Sequence, residues 1–123
     1  MVAPTTIVLV VAHGSRAADA NDAHRRLVAE LGARTARPVR AAFLELAEPS
    51  IPEAIDAAVA DGAAEVAVLP YFLHPGRHLA RDLPAIVADA DARHPGSRVH
   101  LTESFGARPE LLDVLAAQVA ELG

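Results

Sequence analysis

The chain has 123 residues, no cysteine and a formal net charge of −5. That length suits a single domain, residues 1–123, able to bury a real core. The missing thiols exclude disulfides, thiolate nucleophiles, iron–sulfur clusters and cysteine zinc sites, and the acidic balance argues against a nucleic-acid partner, which wants a basic face.

Hydrophobic residues make up 52% of the chain, much of it alanine, while aromatics are only 3%. Such a core is built from small side chains packed closely, as between helices and a sheet. The apolar stretch at residues 7–12 is too short to span a bilayer and lacks the basic flank of a signal peptide, so no membrane partner and a cytoplasmic location are expected.

Two kinds of segment alternate. A first strand is expected over 6–12, "TIVLVVA", followed by a helix with Ala20, Ala23, Leu27 and Leu31 on one face and Gly32 as its stop. The second strand covers 39–44. After it, Ser50 and Glu53 have capping-box spacing, Ile51, Ile55 and Val59 form an apolar stripe, and Gly62 ends the helix. A third strand over 66–73 precedes a helix from about Arg81 to Arg93, with Leu83, Ile86, Val87 and Ala90 inward. The fourth strand, 98–103, leads to a last helix near Pro109 that carries Leu111, Leu115, Val119 and Leu122.

This β-α alternation predicts an α/β fold, three αβα layers around a four-stranded parallel sheet. Strands one and three are apolar on both faces and belong in the centre. Strands two and four interleave Arg40, His100 and Thr102 and suit the edges. Right-handed crossovers then give the order 2-1-3-4, a flavodoxin-like arrangement.

In an open parallel sheet the ligand lies beyond the carboxyl ends of the strands, where the chain order reverses. Here that crevice falls between "AHGSRA" after strand one and "FLHPGRHLARDLP" after strand three, so His13 and His78 should face each other across it. Imidazole is a common metal ligand and titrates near neutral pH, and the flanking Gly14 and Gly76 let backbone and ligand approach closely. Strand two ends in "FLELAEPS", which brings Glu45 to the flank of the same crevice, either as a third ligand or proton acceptor or as a solvated edge carboxylate. Glu48 belongs to the turn before the next helix. Arg16, Arg77 and Arg81 cluster on the two loops, either for solubility or as a dock for carboxylates or phosphates. His74 and His78 are four apart, but Pro75 and Gly76 break any helix between them, leaving His74 at the rim. His24, His94 and His100 take surface roles. No G-x-S-x-G elbow, Walker loop or G-x-G-x-x-G fingerprint is present, which weakens hydrolase and nucleotide readings.

"AHGSR", "AFLELAEPSIPEAI", "VLPYFLHPGRHLARDLP" and "ESFGARPELLDVL" occur in order through nearly the whole chain. In this the chain resembles the short CbiX family of sirohydrochlorin chelatases, relatives of the anaerobic cobaltochelatases and protoporphyrin ferrochelatases. The resemblance implies insertion of a divalent metal (Co2+, Fe2+ or Ni2+, as substrate) into sirohydrochlorin, with no organic cofactor, by a homodimer of chelatase halves. It implies that His13 and His78 handle the metal or accept the pyrrole protons, and that Glu45 acts beside them. Gly14, Ser15, Arg16, Gly76 and Arg77 would meet the anionic macrocycle, and Tyr71, Phe72 and Leu73 would offer apolar contact unless they are ordinary core residues. Some members carry a His-rich segment; this chain has none. Two rivals use the same pocket: a tetrapyrrole or metal carrier without turnover, and a phosphohistidine phosphoryl transferase. The latter wants an arginine directly before the histidine, where this chain has Ala12.

Overall fold

The computed structural model describes residues 5–123. Strands β1 (Thr6–Ala12), β2 (Val39–Phe43), β3 (Glu65–Pro70) and β4 (Arg98–Leu101) form one parallel sheet in the order β2-β1-β3-β4. The helices are α1 (Ala18–Arg34), α2 (Ile51–Ala60), α3 (Arg77–Arg93) and α4 (Glu110–Ala120), with one 3-10 turn at Phe105–Ala107. The α/β class and the strand order are as the sequence predicts.

The main core lies on one face of the sheet. Ile7, Leu9 and Val11 of β1 and Val66 and Val68 of β3 pack there against Ile51, Ala54, Ile55 and Ala58 of α2 and Leu83, Val87 and Ala90 of α3. Alanines at the contacts let the helices sit close to the strands, so few large side chains are needed. The Ser50–Glu53 capping box forms, with both reciprocal hydrogen bonds in place, and Gly62 closes α2 at φ 96°.

The opposite face differs from expectation. α1 buries Asn21, His24 and Val28, while Leu27 is exposed. The helix is rotated because two polar side chains find backbone partners inside, which an apolar stripe cannot announce. Gly32 does not stop α1, which runs on to Arg34. α3 begins four residues earlier than expected, capped by Gly76 in extended conformation, and carries Pro84 within it. β3 ends at Pro70, so Tyr71–Leu73 lie beyond the strand.

α4 is the exception to the layered plan. None of its residues is buried: Leu112, Val114, Leu115 and Val119 are 56–71% exposed, and Leu122 just beyond it is exposed too. The last apolar helix therefore has no sheet beneath it.

Candidate active site

The site is built where three strands end together. Ala12 pairs with Phe43 at the end of the β1–β2 ladder. Two further backbone bonds extend it, from Leu44 N to the Ala12 carbonyl (2.9 Å) and from Glu45 N to the His13 carbonyl (3.1 Å). His13 and Glu45 thus emerge as neighbours, and Nε2 of His13 lies 3.0 Å from Oε1 of Glu45. Both side chains are about half exposed, open to a ligand above. The Phe72 and His13 ring centroids lie 6.5 Å apart with their planes at 75°, which brings in the loop after β3.

Gly14 explains why the two loops run so close. Its φ is 97°, and a Cβ there would stand 1.7 Å from the Glu45 carbonyl oxygen. The chain's own backbone uses the space that a side chain would take. Ser15 is held from inside: its N–H donates to Asn21 Oδ1 (2.9 Å), its carbonyl accepts from Asn21 Nδ2 (2.8 Å), and its Oγ accepts from Ala17 N (3.0 Å). These bonds fix the loop that carries His13 onto the first turn of α1.

His78 occupies the first turn of α3, exposed, and makes no hydrogen bond or ion pair among the described residues. Among those residues no three His, Asp or Glu side chains converge closely enough to hold an ion together. The structure therefore joins His13 to Glu45, and His78 stands apart from that pair as a free imidazole at a helix N-terminus. His74 is exposed on the preceding bend.

A Cβ on Gly76 would meet nothing within 4 Å, which leaves space before α3. Arg16, Arg77 and Arg81 are exposed and form no ion pair among the described residues. By contrast Arg25, Arg40, Arg93, Arg98 and Arg108 each face a carboxylate. Free guanidinium groups at this end are available to an anionic ligand. Beside them an apolar groove of about 360 Å³ runs between Leu73 and His74 on one side and Leu111 and Leu115 of α4 on the other.

Three supports of the site are absent from the sequence reading. His24, expected at the surface, is buried, and its Nε2 donates to the Val10 carbonyl (2.9 Å). Its ring stacks on Tyr71 at 5.9 Å and meets Phe43 edge-on at 5.3 Å, so one imidazole ties together the ends of β1, β2 and β3. Tyr71 in turn packs on Phe105 at 4.9 Å. Gly106 is the second: its N–H donates to the Phe72 carbonyl (2.8 Å), and a Cβ there would stand 1.8 Å from the Leu73 carbonyl oxygen. Asn21 is the third. His24 and Asn21 share the buried i, i+3 face of α1, a polar stripe that periodicity alone assigns to solvent. His94 and His100 are half-buried rather than free: His94 Nε2 donates to Asp56 (2.7 Å) and His100 Nε2 to Glu65 (2.9 Å).

The sequence model of the CbiX family matches residues 7–122. The chain belongs to the CbiX family. Over 109 residues it is 39% identical to the chloroplastic sirohydrochlorin ferrochelatase of Arabidopsis thaliana, covering 88% of this chain and 48% of that protein. Over 116 residues it is 31% identical to the sirohydrochlorin cobaltochelatase of Priestia megaterium, covering 94% of this chain and 38% of the relative. A crystal structure of a CbiX protein from Marinobacter aquaeolei superposes with a TM-score of 0.80 at 32% identity, over 96% of both chains. SirB from Bacillus subtilis with Fe3+ gives a TM-score of 0.82 at 28% identity, over 97% of this chain and 48% of that one. The chain thus spans about half the length of the first curated relatives that it matches.

Proposed function

We propose that this CbiX chain acts as one chelatase half, inserting Co2+, Fe2+ or Ni2+ into sirohydrochlorin, and that a second copy completes it as a homodimer. The observation that carries the reading is the His13–Glu45 pair at the carboxyl end of the sheet, in a chain whose family relatives include sirohydrochlorin ferrochelatases and cobaltochelatases. Two donor atoms 3.0 Å apart span one edge of an octahedron whose metal–ligand distances are about 2.1 Å. Two protein ligands hold a divalent ion without trapping it, as a site must when the ion is substrate and has to leave.

Insertion also requires two pyrrole N–H protons to depart. Before an ion arrives, Nε2 of His13 donates to Glu45, a tautomer that leaves Nδ1 as the proton acceptor; a metal on Nε2 takes the place of that hydrogen bond and requires the other tautomer. His78 supplies a second imidazole for the same work, as ligand or base. Arg16 and Arg77 pair with substrate carboxylates; Gly76 presents backbone to the macrocycle, Gly14 and Ser15 fix the loop that meets it, and Phe72 and Leu73 give it an apolar wall. No organic cofactor takes part. A cytoplasmic location belongs to the same reading and is checked by cell fractionation.

The test is purified protein with sirohydrochlorin and each metal in turn, followed by absorbance against the uncatalysed rate. The expected result is acceleration that falls at least about tenfold in His13→Ala, Glu45→Gln and His78→Ala. Unchanged rates in the histidine variants remove the site. Stoichiometric binding without acceleration makes the protein a carrier, and phosphatase activity without metal makes it a phosphohistidine enzyme.

A further inference from the structure

Outside α4 and the residues that follow it, two large apolar side chains are more than half exposed among the described residues: Leu46 (55%) and Leu73 (62%). Each stands on a loop at the carboxyl end of the sheet. Leu46 follows Glu45 in the loop after β2, and Leu73 lies beyond the end of β3. β1, which leads into the His13 loop, runs between those two strands. The leucines therefore flank the His13–Glu45 pair, one from each neighbouring strand. The ends of β2 and β3 stand two strand spacings apart, roughly 10 Å.

Leu46 combines its exposure with an unfavourable backbone. Its φ is 65°, and it is the one non-glycine residue with positive φ among the described residues. In that region a Cβ crowds the following carbonyl, which is why glycine and asparagine usually fill such positions. A leucine held there, with its side chain more exposed than covered, does little for the core. Outliers of this kind persist where the surroundings impose them, and they gather at ligand sites.

The surroundings impose this one by pinning the loop on both sides of Leu46. Before it, Leu44 N and Glu45 N bond to the carbonyls of Ala12 and His13. After it, the Pro49 carbonyl accepts from Phe43 N (2.9 Å) and closes the loop. Arg25 of α1 clips the same loop: its guanidinium lies over the Phe43 ring, 4.9 Å from the centroid, and Nη2 donates to the Glu48 carbonyl (3.0 Å). Asp22 holds that guanidinium from the helix side at 2.9 Å. Between these fixed points the chain reverses, and Leu46 takes the left-handed conformation that reverses it.

Asparagine or glycine makes such a turn more easily, so the leucine is explained by what its side chain meets. We propose that Leu46 contacts the substrate: with Leu73 opposite, it forms an apolar clamp about the macrocycle above the His13–Glu45 pair. This rests on the chelatase reading above and adds a residue to its site. The macrocycle has an apolar conjugated ring and charged margins. Arg16, Arg77 and Arg81, exposed and without ion pairs among the described residues, answer the margins. The two leucines answer the ring, covering apolar area that water otherwise wets. A backbone pinned before the ligand arrives leaves little ordering to be done on binding.

The test titrates metal-free sirohydrochlorin into the full chain, followed by absorbance, with Co2+ titrated alone in parallel. Leu46→Asn suits the left-handed backbone and removes the apolar contact. It is expected to melt about 2–4 °C above the parent. It should bind Co2+ as the parent does and sirohydrochlorin about tenfold more weakly. Leu46→Met restores an apolar chain and is expected to return the affinity to within about twofold of the parent. Equal affinity for sirohydrochlorin in the parent and Leu46→Asn overturns the proposal and leaves the chelatase reading standing. So does equal weakening in Leu46→Met and Leu46→Asn, or a loss of Co2+ binding, which places the effect at Glu45. A lower melting temperature for Leu46→Asn gives the leucine to the fold, and a lower mass by light scattering gives it to a contact between copies; either result overturns the proposal. A parent chain that binds no sirohydrochlorin overturns both readings.

Discussion

Replacing Gly14 by alanine tests the backbone geometry beneath the His13–Glu45 pair. Two separate penalties apply. At φ 97° any side chain costs about 1–2 kcal/mol for the left-handed backbone. The new Cβ would also stand 1.7 Å from the Glu45 carbonyl oxygen and 2.9 Å from its carbon, so the β2 loop must retreat by more than 1 Å. Overpacking of this kind adds about 2 kcal/mol. Gly62 supplies the control: its φ is 96°, almost the same, but a Cβ there meets nothing within 4 Å. At about 4 °C per kcal/mol for a chain of this size, Gly14→Ala is expected to melt roughly 12–16 °C lower and Gly62→Ala roughly 4–8 °C lower. Retreat of the loop breaks the bond from Glu45 N to the His13 carbonyl and spreads the 3.0 Å donor pair. The insertion rate of Gly14→Ala should therefore fall about a hundredfold, as for a 1 Å misplacement, while Gly62→Ala keeps the parent rate. Equal melting temperatures for the two variants, or full activity in Gly14→Ala, would refute the argument.

Further expectations follow from the supports of the site. His24→Ala removes a buried ring and should cost about 3 kcal/mol, whereas His24→Phe keeps most of the volume, loses the bond to Val10 and should cost about 1 kcal/mol; urea midpoints with an unchanged slope measure both. Gly106→Ala should push the Phe72–Leu73 loop and the 3-10 turn apart and weaken the near-ultraviolet signal of Tyr71, which is the chain's single tyrosine and packs on Phe105. Asp56 and Glu65 are held below their ordinary carboxylate values of 3.8 and 4.5, chiefly by the hydrogen bonds from His94 and His100. Folding lowers both, so their stabilisation is complete above those values and disappears as pH falls through the lower folded-state values. Melting temperature against pH should show this acid loss shrink in Asp56→Asn and in Glu65→Gln; an unchanged acid limb in both counts against it.

Much of the fold is legible in the pattern of apolar runs. β1 and β3 announce themselves as doubly covered strands, and Arg40, His100 and Thr102 mark the edges, which with right-handed crossovers is enough for the order β2-β1-β3-β4. The rotation of α1 is not legible, because Asn21 and His24 turn inward to satisfy Ser15 and Val10, partners that exist only once the chain has folded. The start of α3 is misplaced for a local reason: "HPG" reads as a breaker, yet Gly76 is the cap and the helix follows at once. At the site, Glu45 is found beside His13 because adjacent parallel strands end in register. Gly14 is noticed for the wrong guest, since the space it leaves is taken by a carbonyl of the next strand. Gly106 lies within a recognised stretch of sequence, but its role depends on a contact thirty-odd residues away.

If the His13–Glu45 pair receives the ion as proposed, its place at the end of the ladder has a consequence for cargo. Both residues hang from consecutive backbone bonds at the end of a ladder, so their backbones are held side by side while the half-exposed side chains can set the donor span to ions of nearly equal radius. Cobalt, iron and nickel all accept nitrogen and oxygen ligands, and intrinsic affinity rises along that row regardless of biological need. If the chain acts as proposed, such a fork would accept whichever ion the cell delivers in exchangeable form, and discrimination would pass from the protein to the metal supply and to how readily each hydrated ion sheds its water.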